Sequence, residues 1–104
     1  LLPSNASGIS KWEKLAIENT NAWIEINYVN KSVVMTSRVK YTSDNRIKTI
    51  FGDTDVRIVK KNILDSKRSS LTYYSTDNNY VPVMIEQYRL DKLMFRATLE
   101  NYEN

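Results

Sequence analysis

Glu86-Gln87-Tyr88-Arg89-Leu90-Asp91-Lys92-Leu93-Met94-Phe95-Arg96-Ala97-Thr98-Leu99-Glu100-Asn101 is the stretch on which the fold class turns. Leu90, Leu93, Met94 and Ala97 recur at intervals of three and four, while Arg89, Lys92 and Arg96 fall on another side. That spacing predicts one amphipathic helix over residues 86–101. Its apolar stripe has to cover something, and the nearest surface is built by the residues upstream.

Upstream the period changes to two. Ala22, Ile24, Ile26 and Tyr28 alternate with Trp23, Glu25 and Asn27, and Val33, Met35, Val39 and Tyr41 alternate with Thr36, Arg38 and Lys40. This is the pattern of half-buried strands, and the Asn30-Lys31 break reads as their hairpin. A second pair follows: residues 47–51, a Gly52-Asp53-Thr54 turn, then residues 55–64, where β-branched Val56, Ile58, Val59 and Ile63 favour strand. Val56 and Ile58 share a parity that Ile63 lacks, so a β-bulge near Lys60-Lys61 is expected to return them to one face. Residues 71–75 and 80–85 complete the sheet around a Thr76-Asp77-Asn78-Asn79 turn, with Pro82 placing the last strand at an edge. Residues 12–17 read as a first strand because the segment is short and ends in Glu18-Asn19-Thr20-Asn21, although Ser10 and Glu13 have capping-box spacing. The expected fold class is α+β: a single twisted antiparallel β-sheet of about six strands with one C-terminal amphipathic helix packed on one face. Trp12, Trp23, Phe51 and Phe95 are expected to fill the layer between them. Trp23 also has the polar-face parity of its strand, which makes it a candidate contact residue.

The chain has 104 residues, enough for one core and too few for two. Residues 1–9 read as a flexible N-terminal segment, a signal-peptide remnant or a tag, and residues 10–104 as a single α+β domain. With no Cys and no His, these residues offer no disulfide, no thiol nucleophile, no imidazole base and no thiolate or imidazole metal ligand. Two glycines cannot make a glycine-rich phosphate loop. Fifteen Lys and Arg against twelve Asp and Glu give a net charge of +3, a mild bias toward acidic partners. No window approaches the ~20 apolar residues of a membrane span. Leu1-Leu2-Pro3-Ser4-Asn5-Ala6 looks like the end of a signal peptide with a small-x-small cleavage site, which with the Asn/Ser/Thr-rich loops points to periplasm, cell surface or secretion.

Few constellations carry chemistry. Ser37 and Lys40 have the spacing of a nucleophile and its lysine base, but on a strand residues three apart point to opposite faces. Asp53 and Asp55 supply too few oxygens for calcium and read as a solvated turn. Asn5-Ala6-Ser7 and Asn30-Lys31-Ser32 match the glycosylation sequon, as chance allows in so Asn- and Ser-rich a chain. No catalytic residue, metal or cofactor is expected. The candidate binding residues are Lys60, Lys61, Lys67, Arg68, Tyr73 and Tyr74, a charged and tyrosyl surface of the kind that suits a polar protein interface. Arg89, Lys92 and Arg96 would form a helix stripe. Nucleic acid is disfavoured, because Glu86, Asp91 and Glu100 interrupt that stripe and consecutive tyrosines cannot stack bases from one face.

Two stretches carry a family resemblance. Lys11-Trp12-Glu13-Lys14-Leu15-Ala16 after Leu1-Leu2-Pro3-Ser4, and residues Val56 to Ser75, with Ile63-Leu64-Asp65-Ser66-Lys67-Arg68 leading into Leu71-Thr72-Tyr73-Tyr74-Ser75, resemble the surface-adhesin E-like family of small exported Gram-negative proteins. Ser66 stands where the family usually has Cys, so its disulfide cannot form here. The resemblance implies an antiparallel sheet with a C-terminal helix on its concave face, a tendency to dimerise, and binding of host or matrix proteins without catalysis. The expected function is therefore that of an exported, non-enzymatic protein-binding module. The alternative is an inhibitor or immunity-type protein that binds a partner enzyme one-to-one.

Overall fold

The computed structural model describes residues 11–18, 23–30, 32–63 and 66–101. In chain order these form helix α1 (Lys11–Glu18) and strands β1 (Ile24–Asn30), β2 (Val33–Thr49), β3 (Gly52–Ile63), β4 (Arg68–Ser75), β5 (Pro82–Arg89) and β6 (Lys92–Thr98). The six strands make one antiparallel sheet in sequential order, each paired with its neighbours in the chain. The fold is mostly β, and the expected C-terminal helix is replaced by the end of β5, a tight turn and β6.

Two local features explain that correction. Leu90 and Asp91 both have left-handed backbones, with φ of 51° and 61°, between the paired residues Arg89 and Lys92. Two consecutive positive φ values make the two-residue hairpin turn whose twist matches the strands, normally signalled by Asn-Gly or Asp-Gly. Leu-Asp gives no such signal. The second feature is a bulge: Gln87 pairs with Phe95 but Tyr88 pairs with Leu93, so Met94 is an extra residue. One extra residue turns a period of two into intervals of three and four, which imitates a helix.

Residues 11–18 form a helix rather than the expected first strand. Ala16 and Ile17 are buried against Val39, Val59 and Tyr74, while Lys14, Leu15 and Glu18 are exposed. Ser10 and the Trp12 side chain lie outside the described residues. Helix α1 lies over β1, β2 and β3 and gives one face of the sheet its core. The opposite face has a second core of Val56, Ile58, Val81, Val83 and Leu99.

This two-sided packing removes the reason for a bulge at Lys60-Lys61. Val59 faces the helix while Val56 and Ile58 face away, so both parities of β3 are buried and the strand runs regularly against β4. The irregularity sits across the ladder in β2, between Tyr41 and Ser43. Strand β2 also runs unbroken to Thr49, so residues 47–49 extend it instead of starting a separate strand. The turn before β3 is Ile50-Phe51, with Gly52 at φ 86° pairing back to Thr49. Pro82 is not on an edge strand: β5 lies between β4 and β6, and Pro82 is its first residue, opposite Tyr74 beside a register shift. A missing N–H is tolerated there.

The aromatic expectation fails as well. Trp23, Phe51 and Phe95 are all exposed rather than packed between layers. Trp23 lies beneath the Lys40 ammonium, 5.7 Å from the ring centroid. Among the described residues no helix is long and apolar enough to cross a membrane.

Candidate functional site

Among the described residues α1 lies over β1, β2 and β3 and reaches β4 at Tyr74, and a cleft of ≈ 740 Å³ lies between Glu13 of the helix and strands β3 to β6. Val59, Tyr74, Pro82 and Ile85 give it an apolar floor, and Lys61, Arg68 and Arg89 supply charge. The register explains how three strands deliver these cations together. Arg68 pairs with Arg89, and Arg89 pairs with Lys92, so three like charges stand opposite one another in one cross-strand row of about 10 Å. Lys61 pairs with Ser70, two residues from Arg68, and so shares the face. The described ion pairs are Arg38–Glu25, Arg46–Asp55, Arg57–Asp44 and Arg96–Glu86, none of which includes a cation of this row or Lys61. Like charges directly opposite on neighbouring strands are destabilising. The Lys67 carbonyl accepts the Leu90 N–H at 2.9 Å, tying the segment before β4 to the β5–β6 turn and adding another exposed cation to this end.

The six residues expected to bind do not form one surface. Lys61 and Arg68 meet in the cleft, and Lys67 is exposed beside it. Tyr74 lines the floor but is buried in the core beneath α1. Lys60 and Tyr73 project from the opposite face, Lys60 opposite Lys40 and Leu71, Tyr73 opposite Ile58 and Met84. Arg89 and Lys92, which complete the cationic row, are visible in the sequence only as part of the supposed helix stripe. Ser37 is buried on the helix-bearing face and Lys40 lies on the other, so they do not pair. Asp53 and Asp55 are exposed, and no metal-binding group of three or more ligands exists among the described residues.

The opposite face carries the one buried carboxylate among the described residues. Glu86, on β5, is 3% exposed. Its Oε1 accepts the Tyr73 hydroxyl at 2.6 Å and the Tyr88 hydroxyl at 3.3 Å, and its Oε2 accepts Arg96 Nε at 2.9 Å and Nη2 at 2.5 Å. Burial alone pushes the carboxyl up, but the hydrogen bonds from Tyr73 and Arg96, the Arg96 charge and the Tyr88 hydroxyl together hold it below its ordinary value. Tyr73 moves the other way: burial, then the hydrogen bond to Glu86 and its charge, raise the phenol well above the usual range. With both oxygens occupied, Glu86 has no lone pair poised for a substrate proton, and the cluster joins β4, β5 and β6.

No family model, curated protein or solved structure matches the chain. The C-terminal helix implied by the adhesin-like resemblance is absent from the described residues, where β6 takes its place.

Proposed function

We propose that the protein is a non-catalytic binding module that holds an acidic segment of a partner protein against Lys61, Arg68, Arg89 and Lys92. The observation that carries this reading is the row of like charges across β4, β5 and β6, in which Arg68 stands opposite Arg89 and Arg89 opposite Lys92. Such a row costs stability in the free protein, and an anionic ligand would relieve that cost. The apolar floor of the cleft suits a ligand with carboxylates and some apolar side chains. A non-catalytic role is supported by the absence of His and Cys and by the full occupation of the Glu86 oxygens. The signal-like residues 1–6 support an exported setting.

Fluorescence anisotropy with a labelled octapeptide of alternating Glu and Val tests the reading. Binding should weaken as salt rises, and the pair Arg68→Glu with Arg89→Glu should weaken it by roughly tenfold or more. Lys48→Glu, an exposed change on β2 outside the cleft, should leave it nearly unchanged. Equal losses from both sets of changes, or no binding at low salt, would overturn the assignment.

A further inference from the structure

Strand β6 closes the described sheet, and no described strand lies along its outer side. The Leu99 N–H donates inward to the Val83 carbonyl at 3.0 Å. By the alternation of an antiparallel ladder, the N–H groups of Arg96 and Thr98 therefore point out from the edge. An open edge is a template for another strand, and natural sheets usually blunt it with prolines, charged side chains, bulges or a cover; β6 has Lys92 and the Met94 bulge near its turn, while Arg96 to Thr98 pair regularly with β5. The sequence of β6, Lys92-Leu93-Met94-Phe95-Arg96-Ala97-Thr98, contains no proline, and Leu93, Met94 and Phe95 are 41%, 61% and 48% exposed. Lys92 and Phe95 lie on the helix-bearing face, opposite Arg89 and Gln87, while Leu93 and Arg96 lie on the other, opposite Tyr88 and Glu86. The row Arg68–Arg89–Lys92 thus runs across the sheet to this edge and stops.

We propose that β6 receives an extended acidic segment of a partner protein as a seventh strand, with Asp or Glu on the helix-bearing face extending the row at Lys92 and apolar side chains beside Leu93 on the other face. This rests on the anionic-ligand reading above and adds the partner's conformation and the place where it docks. Charge decides between occupants. A second copy would bring another Lys92 to the edge, its Arg96 being already matched by Glu86, whereas an acidic strand complements Lys92 and its row. Main-chain hydrogen bonds would supply affinity, and the alternating side chains specificity.

The Glu-Val octapeptide is compared with a version N-methylated at every internal backbone nitrogen, which has the same charge and side chains but no internal ladder donors on either edge. Strand addition predicts that methylation weakens binding by about tenfold or more. Thr98→Pro should do the same, since it removes an outward N–H that only an added strand would use; its fold is checked by circular dichroism. The methylated peptide keeps the test decisive if Thr98→Pro does not fold. If both peptides bind equally while Arg68→Glu with Arg89→Glu still abolishes binding, strand addition is wrong and the anionic site stands. If the charge reversals have no effect either, both readings fall. A free protein that sediments as a dimer and is dispersed by Thr98→Pro would assign the edge to a second copy and overturn the proposal.

Discussion

At the scale of single residues, Glu86 matters most to the stability of the β4–β6 half of the sheet. A buried carboxylate with a saturated hydrogen-bond shell is expensive to disturb, because losing one donor leaves charge unsatisfied. Tyr73→Phe removes the shortest contact to Oε1 and should cost ~1.5–3 kcal/mol in urea unfolding. The pH dependence follows from the direction of each shift. Glu86 is depressed in the folded state, so its stabilisation is complete above the ordinary Glu value of about 4.3 and drains away as pH falls through the folded value. Glu86→Gln should therefore flatten the acid limb of a Tm-against-pH curve; an unchanged limb would mean that other carboxylates control it. Tyr73 is raised, so its contribution holds below the ordinary Tyr value of about 10 and is lost as pH climbs beyond it. Ultraviolet titration of the seven tyrosines should show at least one phenol lagging the rest, and Tyr73→Phe should abolish that lag.

At the scale of elements, the β5–β6 hairpin shows what a turn does when its sequence is not the preferred one. Leu90 holds a φ of 51° that a branched apolar side chain rarely adopts. Replacing Leu90-Asp91 with Asn-Gly should raise stability by roughly 1 kcal/mol in thermal or urea unfolding without moving the register. A loss of stability would show that Leu90 contributes more by packing than its 65% exposure suggests. The same hairpin marks the boundary of what the sequence discloses. Where strands carry plain alternation, as in residues 33–41, or end in a polar turn, as after Ser75, element type and turn position are readable. Where a bulge supplies an extra residue and Leu-Asp makes the turn, periodicity alone points to the wrong element. Helix α1 escaped detection for a different reason: eight residues burying Ala16 and Ile17 leave too short a stripe to separate from a strand.

At the scale of the whole molecule, one sheet separates two cores, and this arrangement splits the residues expected to act together. Adjacent positions such as Lys60 and Lys61, or Tyr73 and Tyr74, lie on opposite faces, so a run of basic and tyrosyl residues in the sequence becomes two surfaces. Lys61 and Arg68 are legible as surface cations from sequence alone. Their convergence with Arg89 and Lys92 is not, because it depends on two registers and on a hairpin that local spacing conceals. The strictly sequential strand order has a kinetic corollary. No strand waits for a distant segment to arrive, so each closure spans only a short loop and the ribbons can zip in succession, with no crossover whose entropy must be met first. Stopped-flow refolding should accordingly run faster than is usual for β-sandwiches of this length, and a slow, rollover-prone chevron would indicate that the pleats assemble by a less local route.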